Sequence, residues 1–257
     1  MKEILGAYSR DQKLADPHVH TNKSRDAYLA PEQIVEITVA SELLHTIAIT
    51  DHDKVSPSIE AFEYAQRHGY SLEVVSGSEI STLDGHLLAL YIEYDIPSHQ
   101  SVEQTIKEIH KQDGLAIAVH PFFKRIRSLN QQRILDVIKN DDPEIYLDGF
   151  EIFNAGVNSY PKTTAIKEAG EFYLQHKGFL GAPIGSSDNH YFTPGRGLTA
   201  YKKDLKESIK SRETAVLMLE DHESAQIRHH AINLFPKEIN PLVAKLEKYR
   251  ELRNKRE

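Results

Sequence analysis

The chain contains no cysteine among its 257 residues, which excludes both disulfide bonds and zinc held by thiolates. Any metal ion that it binds must therefore be held by nitrogen and oxygen ligands. No stretch approaches the run of about 18 to 20 apolar residues that a membrane-spanning helix needs. Residues 1–14 are mixed and polar, unlike a signal peptide. From these absences we expect a soluble cytoplasmic protein.

An excess of basic residues is also lacking. The chain has 31 Lys and Arg against 38 Asp and Glu, a formal net charge of −7. Domains that coat nucleic acid through bulk charge are usually basic, so that class is disfavoured. A nuclease whose metal ions meet the phosphate is still compatible with this charge. The sequence also has no internal repeat, low-complexity segment, glycine-rich phosphate loop or serine-nucleophile motif.

Short apolar runs that predict strands alternate with amphipathic runs that predict helices. After a first strand near residue 16, strands are predicted over 45–50, 72–76, 87–92, 115–119, 149–153 and 180–185. Helices are predicted from Pro31 and over 57–68, 101–112, 130–139 and 162–176. Repeated β-α units predict a parallel sheet closed, or nearly closed, into a barrel. We expect one α/β domain over residues 1–220, with a C-terminal helical extension, 221–257, packed on it.

Two clusters with the spacing of metal ligands lie about 170 positions apart, at Asp16 to His20 and at Asp188 to His190. Side chains alternate between the faces of a strand, so residues two apart point the same way. His18 and His20 would therefore face one point, with Asp16 behind them, and Asp188 and His190 would converge similarly. Imidazole and carboxylate groups bind zinc, manganese or iron. Two such clusters predict a metal site.

Further ionisable residues stand at the ends of the predicted strands, where active sites of parallel barrels lie. Glu79 follows the strand 72–76, and its position favours a carboxylate that bridges two metals. His120 follows the strand 115–119 directly. His86 begins a predicted strand. All three are predicted metal ligands.

At two further positions the sequence offers two alternative residues as the metal ligand. Asp51 and His52 are adjacent in an extended segment and point in opposite directions, so one would be a ligand and the other would support it. We favour His52 as the ligand. Asp26, in the loop after His20, is the other candidate, and Asp53 competes with it.

Cationic side chains near the metals would hold the oxygens of a phosphate. Lys124 and Arg125 follow His120 closely, and Arg196 lies between two glycines just past His190. The alternative is that these are ordinary surface residues. We predict substrate contacts from Arg196, Lys124 and Arg125.

Together these motifs resemble those of the PHP family, named for polymerase and histidinol phosphatase. The resemblance covers roughly residues 14–200. It rests on an ordered series of segments: Asp16-Pro17-His18-Val19-His20-Thr21, Ala48-Ile49-Thr50-Asp51-His52-Asp53, Gly77-Ser78-Glu79-Ile80-Ser81-Thr82, Gly85-His86-Leu87-Leu88-Ala89-Leu90, Ala118-Val119-His120-Pro121 and Gly185-Ser186-Ser187-Asp188-Asn189-His190. Pro17 stands where the family usually has an aliphatic residue, which removes a strand N–H but no ligand.

The resemblance implies a distorted (β/α)7 barrel that carries up to three divalent metals, such as manganese, zinc or iron. By the family pattern, one metal would be held by His18, His20, Glu79 and Asp188. Glu79 would bridge to a second metal held by His86 and His120. The third would be held by Asp26, His52 and His190. Amidohydrolases share the H-x-H of a first barrel strand but lack the Thr-Asp-His and Gly-Ser-Glu clusters, so they rank second among enzymes.

The predicted reaction is hydrolysis of a phosphate ester with a metal-bound hydroxide as the nucleophile. A small phosphomonoester or nucleotide is the favoured substrate. A nuclease acting on short nucleic acid ends is the first alternative, against which the acidic charge counts. A non-enzymatic scaffold is the second alternative, and the complete ligand set opposes it. No membrane partner is expected.

Overall fold

The computed structural model describes residues 11–191 and 194–218, together with positions 231, 233–235, 237, 240, 241, 243 and 244. The strands are β1 (Lys13–Val19), β2 (Thr46–Ile49), β3 (Glu73–Ser81), β4 (His86–Leu90), β5 (Leu115–Ala118), β6 (Gly149–Asn154), β7 (Ala182–Ser186), β8 (Gly197–Tyr201) and β9 (Ala215–Met218). The helices are α1 (Pro31–Ser41), α2 (Ser56–Arg67), α3 (Val102–His110), α4 (Gln131–Ile138), α5 (Ala155–Asn158), α6 (Ala165–His176) and α7 (Leu205–Lys210).

The strands form one sheet in the order β7-β6-β5-β4-β3-β2-β1-β8-β9, curled into a nearly closed barrel. The two sides of the barrel meet where Val19, at the end of β1, pairs with Asn189, just after β7. There the His20 N–H donates to the Asn189 carbonyl at 2.9 Å. We call this junction the seam. The predicted α/β barrel is confirmed.

The sheet is mixed, whereas the β-α pattern predicted a parallel one. β4 runs antiparallel to both β3 and β5, and β8 runs antiparallel to β1 and β9. The link between β3 and β4 is too short to hold a crossover helix, so a hairpin is the only connection it permits. This reversal puts the first residue of β4, His86, at the barrel end where β3 and β5 finish.

Strand residues alternate between the barrel interior and the surrounding helices, so both faces of the sheet are buried. Ala48, Leu88 and Ile117 belong to one buried apolar cluster inside the barrel. Their neighbours, such as Ile49 and Ala116, pack outward in two clusters with the helices. This interior apolar cluster fills one end of the barrel. Polar side chains occupy the other end, where the parallel strands finish, which we call the upper end.

Side-chain caps begin α3 and α4, and a proline begins α1. Ser101 accepts a hydrogen bond from the Gln104 N–H at 3.2 Å at the start of α3. Asn130 accepts one from the Arg133 N–H at 3.0 Å at the start of α4. α1 begins with Pro31, whose missing N–H costs nothing in the first helical turn.

Pro17 is accommodated by an irregularity in β1. The pairing with β2 is regular at Asp16 and resumes at Val19, with a shift in register between them. A β-bulge is a position where a strand residue is released from the ladder, so the missing N–H of proline leaves no partner unsatisfied.

The predicted C-terminal extension, 221–257, lies mostly outside the described residues, including its three histidines and most of the terminal helix predicted over 241–257. Within the described part, Ala231 is buried in the apolar cluster beside α1, and Phe235 and Val243 pack against that cluster. The boundary at residue 220 stays a prediction. Among the described residues, no helix is both long enough and apolar enough to cross a membrane.

Candidate metal centre

His18 and His20 reach one point inside the upper barrel, where both are fully or almost fully buried. Their Nε2 atoms lie 3.1 Å apart. Glu79 Oε2 lies 3.5 Å from the first nitrogen and 3.2 Å from the second. Asp188 Oδ1 lies 3.5 and 3.4 Å from the same two atoms. Two imidazole nitrogens and two carboxylate oxygens therefore converge.

These separations fit a divalent metal ion. Nitrogen and oxygen ligands lie about 2.1 Å from zinc, and at tetrahedral angles such ligands are about 3.4 Å from one another. The distances from the nitrogens of His18 and His20 to each other and to the carboxylate oxygens span 3.1–3.5 Å. The ligand atoms of His18, His20 and Glu79 all lie within 4.8 Å of one another, so these three residues could hold one metal ion.

The other oxygen of Glu79 faces a second set of histidines. Glu79 Oε1 lies 2.8 Å from His86 Nδ1 and 2.7 Å from His120 Nε2. Burial favours a neutral acid, yet the positive charge of His86 and His18 and the hydrogen bond with His120 hold the pKa of Glu79 well below its usual range. One carboxylate thus contacts two ligand groups, the arrangement that a bridging ligand needs.

A third group lies at the more exposed rim of the cluster. Asp26 Oδ2 lies 3.3 Å from His190 Nε2 and 3.9 Å from His52 Nε2. Burial opposes protonation of His190, but the hydrogen bond with Asp26 and the charge of Asp188 raise the pKa of His190 to about 9. Hydrogen bonds with His190 and His52 lower the pKa of Asp26. In the absence of metal this rim is an ion-paired group, and a metal ion would displace its protons.

The structure brings all nine predicted ligands into this cluster. His52 also contacts the centre through Nδ1, 3.1 Å from Glu79 Oε2. Ligand atoms within 4.8 Å of one another form three groups: His18, His20 and Glu79; His52, Glu79 and His86; and His20, His52 and His190. Whether each residue binds metal stays a prediction.

Asp51 and Asp53, the alternatives to His52 and Asp26 as metal ligands, make other contacts. Asp51 is buried and accepts hydrogen bonds from the Thr21 N–H at 2.9 Å and from the Ser24 hydroxyl at 2.5 Å. Ser24 Oγ in turn lies 3.2 Å from Nδ1 of His20, so Asp51 positions a ligand through a serine. Asp53 accepts from the Ser81 N–H at 2.7 Å.

Asp16 stands behind the histidines and anchors the loop that carries Asp188. Its Oδ1 accepts from the Ser187 N–H at 3.0 Å and its Oδ2 from the Gly195 N–H at 2.6 Å. Burial raises the pKa of Asp16 to about 6 despite these hydrogen bonds. The carboxylate therefore ties β1 to the end of β7 across the seam.

Glu151 is a functional candidate that sequence reasoning missed. This buried carboxylate on β6 lies 3.3 Å from Nδ1 of His18, accepts from the His120 N–H and the Ser186 hydroxyl, and accepts from the Asn154 amide at 2.9 Å. A partner on Nδ1 fixes the tautomer that leaves Nε2 free to bind a metal. The available signal was a lone carboxylate within the otherwise apolar run 149–153.

Two of the candidate ligands occupy left-handed backbone. His120 has a φ of 32° and Asp188 a φ of 49°. Non-glycine residues rarely adopt this conformation, and such strain concentrates at functional sites. Both residues lie just after parallel strands, where a sharp turn directs the side chain back toward the barrel axis.

The predicted basic residues lie in two segments around this end of the barrel. Lys124 and Arg125 are exposed in the segment after His120, and the Arg125 guanidinium lies 5.7 Å from the ring centre of Tyr160. Arg196 is half-buried in the segment after His190. Their contact with a substrate stays a prediction.

Comparison with known proteins identifies a relative that the match covers over nearly its whole length. An uncharacterized protein of Methanocaldococcus jannaschii is 34% identical over 169 residues, which cover 60% of this chain and 92% of that protein. The two proteins belong to one family. No family model matches the chain.

Shorter matches lead to enzymes with a described activity. The 5'-3' exoribonuclease Rnm of Salmonella typhimurium is 36% identical over 101 residues, 37% of this chain and 34% of the enzyme. Rnm of Escherichia coli is 37% identical over 86 residues, 32% of this chain and 29% of the enzyme. The chain thus matches about a third of each exoribonuclease.

Solved structures confirm the fold that the motifs predicted. A two-domain protein of Bacteroides vulgatus containing a predicted PHP-like metal-dependent phosphoesterase has a TM-score of 0.60 at 18% identity, over 88% of this chain and 73% of that one. An amidohydrolase of Chromobacterium violaceum with bound sulfate and no metal has a TM-score of 0.54 at 17% identity, over 81% of this chain and 99% of that one. The chain therefore has the PHP-like fold.

We expect protein purified from metal-replete medium to carry two or three transition metal ions per chain, because three ligand groups converge in one cluster. Elemental analysis measures this content. His18→Ala should lower it, whereas His68→Ala, at an exposed histidine on the end of α2, should not. A parent protein with less than one metal per chain would contradict the prediction.

Proposed function

We propose that the protein is a metal-dependent hydrolase of phosphate esters and that its substrate is a small phosphomonoester or nucleotide. The observation that carries this proposal is the position of Glu79, whose two oxygens contact separate groups of histidines in a buried cluster. Similarity in fold to PHP-like proteins supports the same reaction class.

Bound divalent metals would supply positive charge to the phosphate oxygens and lower the pKa of water. The chain's own residues would position those metals. His18 and His20 would hold one from a buried strand end, with Glu151 fixing the tautomer of His18. Asp26 is more than half exposed, so the rim that it forms with His190 is the side from which a substrate would enter.

Arg196 is the basic residue with the firmest backbone support near this rim. The preceding N–H, of Gly195, is held by Asp16. The following residue, Gly197, packs so closely on Ser186 that an added Cβ would lie 2.0 Å from the Ser186 carbonyl oxygen. A backbone anchored on both sides would hold Arg196 in a fixed position, and its planar guanidinium could bind two phosphate oxygens at once. Lys124 and Arg125 would supply further charge from the other side.

A nuclease acting on short nucleic acid ends is the second candidate. It is favoured by the identity to two exoribonucleases, which extends over about a third of each. The net charge of −7 counts against a protein that grips many phosphates at once. We therefore place the small substrate first.

The deciding experiment compares kcat/KM for sugar phosphates, mononucleotides and 5′-phosphorylated oligonucleotides, with Mn, Zn and Fe, at two salt concentrations. Hydrolysis of the small esters with weak salt dependence is expected. A preference for oligonucleotides over every small ester, with activity that collapses at the higher salt, would favour the nuclease. No hydrolysis of any ester in metal-loaded protein would refute both candidates.

Arg196→Ala is expected to lower kcat/KM on small phosphate esters by about tenfold or more, the effect of about 1.4 kcal/mol. A small ester offers few other contacts, so the loss of one cation should be large. Metal content should stay unchanged. Arg67→Ala, at an exposed arginine on the end of α2, is the matched control. Equal activity of the two variants would remove Arg196 from the substrate site.

A further inference from the structure

Two tyrosines form a stacked pair at the mouth of the metal cluster. The ring centres of Tyr28 and Tyr191 lie 5.6 Å apart with 19° between the ring planes. Each residue is 39% exposed, in contrast to the buried ligands beneath them. The pair is therefore partly exposed to solvent.

This surface lies directly beside the cluster's exposed rim. Tyr28 is two residues after Asp26, and Tyr191 immediately follows His190. Asp26 and His190 are in contact at 3.3 Å, so the segments that carry the tyrosines meet at this point. A substrate whose phosphate reaches the rim would have its remaining part close to the two rings.

Both rings are carried by anchored backbone. The Asn22 N–H donates to the Leu29 carbonyl at 2.7 Å, which closes the loop that holds Tyr28. Leu29 itself is buried. On the other side, the Tyr191 N–H donates to the side chain of Asn189 at 3.3 Å, and Asn189 belongs to the seam. The pair is thus positioned before any ligand arrives, which lowers the cost of binding.

We propose that Tyr28 and Tyr191 bind the nucleobase of the substrate by stacking. Every nucleobase has a π-face that stacks on an aromatic side chain, and this contact tolerates differences in base identity. A third planar ring extends a stack that already exists. The proposal rests on the proposed function and narrows its substrate from phosphate esters in general to nucleotides. The nucleotide is either free or at the end of a short chain.

The test compares substrates with and without a base. For each variant, kcat/KM is measured on adenosine 5′-monophosphate and on ribose 5-phosphate, which has a hydroxyl at C1 in place of the base. Tyr28→Ala and Tyr191→Ala are expected to lower the ratio of the two values by tenfold or more, chiefly through KM on the nucleotide. Tyr28→Phe and Tyr191→Phe keep the stacking ring and should retain the ratio within about twofold, since a phenyl ring stacks on a base too.

Tyr94→Ala is the matched control, because Tyr94 is 70% exposed and follows the end of β4 that lies at the opposite side of the barrel. Its ratio should equal that of the parent. Equal losses on both substrates in the alanine variants would mean that the tyrosines only support the fold, and the proposal would be wrong. An unchanged ratio would overturn it as well.

A 5′-phosphorylated dinucleotide distinguishes the two sources of the base. A loss on the dinucleotide that exceeds the loss on the mononucleotide assigns the base to a chain end, and the reverse assigns it to a free nucleotide. If the parent hydrolyses none of these esters, the proposed function fails. Calorimetric binding of adenosine 5′-monophosphate to metal-loaded protein then decides separately, since the alanine variants should weaken it tenfold and spare ribose 5-phosphate.

Discussion

Replacing Glu79 by Gln is expected to lower kcat/KM for phosphate-ester hydrolysis by about 1000-fold or more, the equivalent of about 4 kcal/mol of transition-state stabilisation. Glu79 Oε2 lies 3.2 Å from Nε2 of His20, and Oε1 lies 2.7 Å from Nε2 of His120. Glutamine keeps the shape but removes the negative charge and one acceptor oxygen. Both ligand groups should therefore lose metal together, which the loss of a peripheral ligand would not cause.

The measurement pairs steady-state kinetics with elemental analysis and far-UV circular dichroism of the same preparations. Glu73→Gln is the control on the same strand, because Glu73 is exposed at the opposite end of β3 and its partner Thr46 can donate equally well to an amide oxygen. Activity of Glu79→Gln within about tenfold of the parent, about 1.4 kcal/mol, would contradict the bridging role.

Glu151→Gln is expected to weaken metal binding by about 10- to 100-fold, the usual effect of removing a group that orients a ligand. The carboxylate of Glu151 receives four donors, from His18, His120, Asn154 and Ser186. An amide has one acceptor oxygen, so at least one donor would face its NH2 group. The tautomer of His18 would then no longer be fixed, and its Nε2 would be occupied by a proton in part of the molecules.

Competition with a chelator measures this affinity, and thermal unfolding of the metal-free protein measures the separate effect on stability. Glu171→Gln, at an exposed position on α6, is the control. An unchanged metal affinity in Glu151→Gln, with or without a lower unfolding temperature, would limit Glu151 to a structural role.

Local pattern predicted much of the barrel and the members of the cluster. Apolar runs bounded by polar residues predicted β2, β4, β5, β6 and β7 to within two residues at each end. β3 was predicted too short, because it continues to Ser81 and carries Glu79 within the strand, where the sequence had placed Glu79 beyond the strand end. The strand ends predicted where the histidines and carboxylates would lie, because the ends of parallel strands share one edge of a sheet. His86 lies at the same edge although it begins a strand, because β4 runs antiparallel to β3 and β5. The periodicity of the sequence did not reveal this reversal.

The missed features depend on contacts between distant parts of the chain. β8 and β9 are short, and their extended form is stabilised by pairing with β1 and with each other. Glu151 acquires its role from partners such as His18, which is 133 positions away. The aromatic pair of Tyr28 and Tyr191 likewise joins two loops from opposite parts of the sequence. Single-sequence patterns carry no information on which distant residues meet.

The seam has a consequence for the order of folding. The first pair of candidate ligands lies at the end of β1 and the last pair just beyond β7, so the four meet only when the chain closes a loop of about 170 residues. Closing so long a loop is entropically costly and slow, and contacts of this range are made late. A metal ion held by His18, His20 and Asp188 would stabilise the closed barrel by joining the end of β1 to the segment after β7. Metal supply would then govern how long the nascent barrel stays open, and the open form is the one that proteases and aggregation reach first.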